Sequence, residues 1–430
     1  MNIHIEEFIH NFRAAAGKYA KPDRYYRGAH DLAYATEKFE NAFGSLFREF
    51  ALNLCPAVCD AVRDKLRITG FSYTTNGGSS RSADEPYHAQ TFIESIWHRN
   101  RMPQRAGEVH REALVNGDSY VIVWPDEHRN AAIHPNRATQ LSVAYDEDRP
   151  GQILRAAKFW RTADKYTRMN LFYPDRIERY VTAKAGENSF PDAREFIPFR
   201  SELLSLPEDR KSSPMEDLAF EITNPFGVVP VFHFANNSDV GAFGRSELES
   251  AIPVQDGLNK SVLDMLVAME YSAYRQRWAA GIEIEYDNEG NPVAPFKAGI
   301  DHLWLTANPD ARFGDFGTAD LDQFLKVKDS FRIDMASVTG TPMYYLLPHT
   351  RGFPSGEAMQ RAESRFVAKV RDRQMVFGQT WAEVMQFAME IEGHGKVSLK
   401  THWEDPSSTT ERERIETELL KQKLGQVLNS

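Results

Sequence analysis

From residue 357 to 391 the apolar side chains Ala362, Phe366, Val370, Phe377, Trp381, Val384, Ala388 and Ile391 recur at helical spacing. A helix of that length runs about 50 Å. That exceeds the reach of one small core, so the stripe has to be buried against several elements or against other chains. Ser355 is placed to cap its first turn, and Gly378 stands in the middle, where a kink is easiest. A second stripe, Val254, Leu258, Val262, Met265, Met269 and Ala273, predicts a helix over 254–279, about 40 Å long. A third helix is expected from a cap at Thr318 or Asp320, through Leu321, Phe324, Leu325, Phe331 and Met335, to Gly340. Between these two, Ile282, Ile284 and Tyr286 alternate with Glu283, Glu285 and Asp287 before a turn at Asn288-Glu289-Gly290-Asn291-Pro292, which reads as a small β insert.

The first half has a different texture. Leu32, Phe39, Phe43, Leu46, Phe47 and Phe50 predict one helix; Pro56 opens a second, carrying Val58, Val62 and Leu66 and stopped by Gly70. Residues 74–83 are a Gly/Ser-rich loop. A helix over 92–115, broken near Met102-Pro103, ends at Asn116-Gly117. Strands follow at 120–124, 141–145, 153–160, 169–173, 177–181 and 228–234, with turn signals at Asp146 to Gly151 and Pro174-Asp175 and a polar, Pro-rich loop at 184–216. A strand over 396–403 leads through Asp405-Pro406 into a helix from about Thr410 that is still periodic near the last residue, as in a chain cut short. The reading is an α+β chain, whose 430 residues imply two to four domains.

Composition narrows function. With 61 acidic against 51 basic residues the net charge is -10, which argues against tight wrapping of nucleic acid by the whole surface. Cys55 and Cys59, four apart around Pro56, read as buried thiols of a reducing compartment and not as a disulfide or half of a zinc site. The start of the chain lacks a basic region followed by an apolar core, and no apolar run reaches the length of a membrane span, so a soluble protein made in a cytoplasm is expected.

No constellation supports catalysis. There is no phosphate-cradling glycine loop with Lys-Ser/Thr, no dinucleotide fingerprint and no His-Glu-x-x-His. In Gly352-Phe353-Pro354-Ser355-Gly356 the serine stands one place too late for a nucleophile elbow. The acidic tip Asp146-Glu147-Asp148 reads as a solvated turn. No catalytic residue, metal ligand or cofactor is therefore expected. Two charge patterns stand out instead. Arg361, Arg365, Lys369 and Arg373 form a basic stripe along the long helix, for phosphate contact or for pairing with acids across an exposed or subunit-bridging face. Residues 254–340 carry 14 acidic and 8 basic side chains, 8 - 14 = -6, a bias that would set the potential of any central channel if copies surround an axis.

Several stretches together resemble tailed-bacteriophage portal proteins, of the type found in long-tailed actinobacterial phages. They are Asp60-Ala61-Val62-Arg63-Asp64-Lys65-Leu66, Ala113-Leu114-Val115-Asn116-Gly117-Asp118, Leu171-Phe172-Tyr173-Pro174-Asp175 and Asn224-Pro225-Phe226-Gly227-Val228. Ala336-Ser337-Val338-Thr339-Gly340-Thr341-Pro342, then Ser355-Gly356-Glu357-Ala358-Met359, and finally Trp403-Glu404-Asp405-Pro406 complete the series in order. The resemblance implies a portal fold: a wing over 1–253, stem helices at 254–281 and 319–340, a β clip over 282–318, a channel-lining tunnel loop over 341–356, a long kinked wing helix over 357–392 and a helical crown over 393–430. It implies a ring, usually of twelve subunits, passing double-stranded DNA at one capsid vertex during packaging and ejection. Implied partners are the terminase, capsid and scaffold proteins, and head-completion or tail connector proteins, with no membrane. Within the loop, His349, Thr350, Arg351 and Phe353 are the residues that would touch DNA. A non-conducting head–tail adaptor, and a phage nuclease, are the alternative readings.

Overall fold

A computed structural model describes residues 3–34, 37, 41, 52–73, 85–199, 219–239, 243–273, 277–282, 285–293, 308–315, 322–347 and 356–407. Two units divide the chain: one from the described parts of Met1–Asp31, Ala51–Gln255 and Arg332–Ser430, the other from those of Leu32–Phe50 and Asp256–Phe331. Helices α1 (Ile3–Tyr26), α2 (Cys55–Lys65), α3 (Glu85–Arg99), α4 (Met102–Asn116), α5 (Ala251–Ala273), α6 (Asp322–Thr339) and α7 (Gly356–Ile391) combine with strands that pair in antiparallel fashion throughout the described residues.

The first unit is layered, and the alternation of its strands explains how. β2 (Asp118–Pro125) lies between β3 (Ala131–Arg137) and β10 (Val231–Ala235). Successive strand residues point to opposite faces. Val121 and Val123 therefore enter one core with Trp381 and Phe377 of α7 and Leu114 of α4, whereas Tyr120 and Ile122 enter another. In that second core they meet Leu141, Val143, Ala156, Phe172 and Ile177 of a larger sheet. This sheet runs β4 (Leu141–Tyr145), β5 (Ile153–Arg161), β6 (Thr167–Phe172), β7 (Arg176–Thr182) and β8 (Phe196–Pro198), with β9 (Glu221–Thr223) also on β7. Its far face, with Ala157, Phe159, Met169 and Leu171, is covered by Ile5, Phe8, Ile9 and Phe12 of α1, and Phe12 stacks on Phe159 at 5.0 Å.

Beneath α1, Asp118 ties the layers together. Its carboxylate is fully buried and accepts from Lys18 Nζ (2.7 Å), Tyr19 Oη (2.6 Å), His233 Nε2 (2.8 Å) and the Gly244 backbone (2.7 Å). Burial works against this charge, but the His233, Lys18 and Tyr19 bonds hold its pKa below the usual value. Cys55 and Cys59 are buried thiols outside any disulfide, and burial raises the Cys59 thiol well above its ordinary pKa.

Two expectations need correction. Gly70 does not stop a helix: α2 ends at Lys65, and Gly70 lies inside β1 (Ile68–Tyr73), at a register shift where it pairs with β15 (Leu399–Trp403). Helix 254–279 ends at Ala273, because β11 (Arg277–Ala280) pairs with β14 (Arg312–Asp315). There the Trp278 ring occupies the space that a Cβ on Gly314 would need, so tertiary pairing overrides the local helical pattern. The helix over 92–115 breaks where expected, into α3 and α4, and the break is at Arg101, whose φ is 55°. Asn100 fixes it by donating to Ile96 O and Ala131 O and accepting from the Ile133 backbone. Neither α1 nor β3 was expected. Pro135 is tolerated in β3 because that strand is an edge. The insert holds β12 (Glu285–Tyr286) and β13 (Pro292–Val293), whose turn is organised by Asp287 accepting from Glu289 and Asn291. The helix around Phe39 to Phe50, the caps at Thr318, Asp320 and Ser355, and the segment from Thr410 fall outside the described residues.

Candidate functional site

The clearest assembly of charged and loop-bearing elements is where α6 ends and α7 begins. Thr339 closes α6: its Oγ1 donates to Met335 O at 2.7 Å and lies 2.9 Å from Thr341 Oγ1. Gly340 follows at φ 68°, a left-handed turn at which a side chain would be strained. A 3-10 turn, Met343–Tyr345, then leads toward the loop.

A helix ends with carbonyls that have no partner in the next turn, and the basic stripe of α7 supplies one. Arg365 donates to Ser337 O at 3.1 Å and Lys369 to Thr339 O at 2.9 Å. Cations at this position also complement the negative end of the α6 dipole. Lys369 and Arg373 in turn grip Glu247, at 2.6 and 3.0 Å. Burial opposes the Glu247 charge, yet Lys369 and Arg373 hold its pKa below the usual carboxylate range. Six residues before Lys369, the buried Glu363 carboxylate accepts from the Tyr344 hydroxyl, and burial with that bond pushes the tyrosine pKa far up.

The four-residue spacing thus leads to different places. The Arg361 side chain and the loop residues His349, Thr350, Arg351 and Phe353 lie outside the described residues. Arg365 is exposed, whereas Lys369 and Arg373 are spent inside the chain, with side-chain exposures of 15% and 7%. Glu247, Glu363 and Tyr344 escaped the sequence reading. An unpaired basic stripe was the signal that buried acids had to exist, but nothing in the sequence says that Glu247 is one of them. Gly378 also has a packing role. A Cβ there would come within 2.8 Å of Trp403 Nε1, and its carbonyl accepts from Thr401 Oγ1 at 2.7 Å. The glycine lets β15 lie directly on α7, and the helix runs without interruption from Gly356 to Ile391.

Among the described residues no group of His, Cys, Asp or Glu converges as a metal site, and no helix is long and apolar enough to cross a membrane. Comparison with known proteins places the chain more firmly than any single side chain does. The portal protein of Mycobacterium phage L5 is 25% identical over 373 residues, covering 82% of this chain and 68% of that protein. The portal protein of Mycobacterium phage D29 is 24% identical over 371 residues, with the same coverage of 82% and 68%. Among solved structures, the neck of an empty gene transfer agent particle aligns with a TM-score of 0.48 at 12% identity, over 91% of this chain and 90% of that one. The neck of the native particle, computed with C12 symmetry, gives 0.46 at 12%, with the same coverage. The family model for phage portal proteins of the SPP1 Gp6-like type matches residues 5–423, nearly the whole length, and the chain belongs to that family.

Proposed function

We propose that copies of this chain form a ring, of twelve subunits, at one capsid vertex of a virion, and that double-stranded DNA passes through it during packaging and ejection. The observation that carries this reading is the family match from residue 5 to 423. The wing is residues 1–253, the stem 254–281 and 319–340, the clip 282–318, the tunnel loop 341–356, the long wing helix 357–392 and the crown 393–430. The separate unit formed around Asp256–Phe331 supports the stem and clip assignment. Apolar residues left exposed on α5 and α6 (Met269, Leu325, Val327, Ile333 and Val338) support burial between subunits.

The acidic bias of 254–340, repeated around an axis, keeps the polyanion from lingering on the wall, so a duplex can move either way. His349, Thr350, Arg351 and Phe353 would then make the light contacts. In this role the protein is a structural conduit that performs no chemistry. Terminase, capsid and scaffold proteins, and head-completion or tail connector proteins are its partners, and it is made in the host cytoplasm.

Native mass spectrometry and electron micrographs of the purified protein test the reading. Rings with an axial hole wide enough for a duplex are expected. Closed particles without an opening would favour a non-conducting adaptor, and phage lacking this chain that still fill their heads would refute the conduit.

A further inference from the structure

Strand alternation gathers positive charge on one face of the large sheet. Ala156, Phe172 and Ile177 enter the core on that face, and two residues further along the same strands stand Lys158, Asn170 and Arg179, cross-strand neighbours on β5, β6 and β7. Two further along again are Trp160 and Arg168, which also pair. Aromatic rings fix the cations. Lys158 Nζ lies 5.5 Å from the centre of the Trp160 ring, and Arg168 Cζ lies 5.0 Å from that centre and 4.4 Å from the centre of the Phe199 ring. A stacked guanidinium keeps its donor edge for a carboxylate or a phosphate. Both cationic side chains are half-buried, and among the described residues neither makes a hydrogen bond or an ion pair. Arg179 adds its charge to theirs while donating to Ala219 O at 2.8 Å.

No carboxylate balances this cluster. Burial, and then the Arg179 charge, lowers the Arg168 pKa to about 10; burial lowers that of Lys158; and burial, Lys158 and Arg105 lower that of His134. In a chain of net charge -10, half-buried cations without an acid call for one from outside.

The other end of the same sheet carries the complementary charge. Asp146-Glu147-Asp148 begin the β4–β5 turn, where Glu147 and Asp148 are exposed, and among the described residues none of the three makes an ion pair. The turn is preformed: Asp146 Oδ1 accepts from the Asp148 backbone at 2.9 Å, and the Asp146 backbone donates to Gln152 O at 2.9 Å. Arg149 follows, so the turn keeps a net charge of -2. From Ile153, where β5 leaves the turn, to Trp160 is about 23 Å at about 3.3 Å per residue. The acids therefore cannot reach the cations of their own chain. Two unlike patches at opposite ends of one sheet are what a head-to-tail ring joins. A narrow turn can enter between half-buried side chains, whereas a duplex presents its phosphates on a broad, stiff rod.

We propose that the acidic β4–β5 turn of one copy docks on the Lys158–Arg168 face of the next, with Glu147 and Asp148 pairing with the two cations at every junction of the ring. The inference rests on the ring reading and adds to it the polarity of the contact.

Light scattering across a dilution series of the full chain gives the concentration at which half of it is in rings. Glu147→Lys with Asp148→Lys, exposed positions on a turn, should raise that concentration at least about tenfold, although the change makes the chain less negative and so lowers general repulsion. Lys158→Glu with Arg168→Glu should act likewise. An equal mixture of the two variants should recover assembly near the wild-type concentration, because alternating copies then meet opposite charge at every junction. Turn-variant rings that form at the wild-type concentration overturn the proposal and leave the conduit reading standing. So does a mixture that assembles no better than its components when circular dichroism shows both folded; the turn variant decides alone if the face variant is unfolded. Face-variant rings that form normally but retain less labelled duplex than wild type overturn it too, and make the cations a phosphate site. A wild-type chain that stays monomeric sinks both readings.

Discussion

His110 gives this protein a pH dependence whose size follows from the geometry. Its ring, on α4, is fully buried; Nε2 accepts from Trp381 Nε1 at 2.8 Å, and Phe377 stacks on it at 5.7 Å. An indole N–H only donates, so Nε2 carries no proton. Nδ1 does, and it meets the Leu66 backbone at a geometry short of a full hydrogen bond. Burial lowers the pKa from 6.5 to about 3, against the small raising effect of Leu66. Below pH about 6.5 the unfolded chain therefore takes up a proton that the folded ring refuses until about 3. The stability tied to this group is complete above the unfolded pKa and is lost as pH falls through that window. At about pH 4.5 the difference spans two units at about 1.36 kcal/mol each, or about 2.7 kcal/mol. Urea denaturation followed by tryptophan emission, at about pH 7.5 and about pH 4.5, should show wild type losing more stability than His110→Gln by that amount. The glutamine oxygen still accepts from Trp381, and titrating carboxylates are common to both proteins, so they cancel. Equal losses in the two proteins would refute the argument.

Other substitutions separate the contacts described above. Glu247→Gln leaves Lys369 and Arg373 without their buried counter-charge and should cost about 3–5 kcal/mol in the same denaturation assay, whereas Arg365→Gln, at an exposed position, should cost no more than about 1 kcal/mol. Gly378→Ala gains about 1 kcal/mol of helix propensity but drives a methyl to within 2.8 Å of Trp403 Nε1. With overpacking at about 1–3 kcal/mol the net change should be destabilising, and a more stable protein would mean that Trp403 swings away freely. Gly117→Ala combines a φ of 94° with a Cβ placed 2.7 Å from the Gly244 carbonyl. Its loss should exceed about 2 kcal/mol, read as a lower thermal midpoint than that of Gly378→Ala.

What the sequence made legible follows the strength of its periodicities. The stripe from Phe366 to Ile391 defined α7 because the apolar positions of one long helix repeat many times, and Tyr120 to Trp124 defined β2 because Pro125 and Gly117 punctuate it. The β11–β14 pair was hidden because Arg277 to Ala280 carry no alternation of their own; only Gly314, distant in sequence, makes room for Trp278. Helix α1 was within reach, since Ile5, Phe8, Ile9 and Phe12 are spaced as one face, but the surrounding polar residues and Pro22 weaken the pattern. At the candidate site the cations were visible and their acids were not. A helix shows its own face in sequence, whereas Glu247 lies 126 positions from Arg373, and nothing local marks the partnership.

The distribution of apolar surface along α6 bears on why such a chain would act in many copies. Leu325 and Ile333, eight residues apart, lie on one side of the helix, while Val327 and Val338, eleven apart, lie on another, and all four are exposed. A helix serving a solitary globule needs one apolar side and leaves the rest polar. Scattered apolar residues on a surface are ordinary, but a single helix greasy on separate sides asks for more than one neighbour. Around a closed ring every protomer has two, and each contact uses different surfaces of the same chain. Covering each side chain stabilises the assembly by about 1.5–3 kcal/mol, repeated at every interface, so small gains per residue become a rigid wall. In such a ring the acid-rich composition of 254–340 would oppose crowding by like-charge repulsion, and the apolar sides of α6 would offset it.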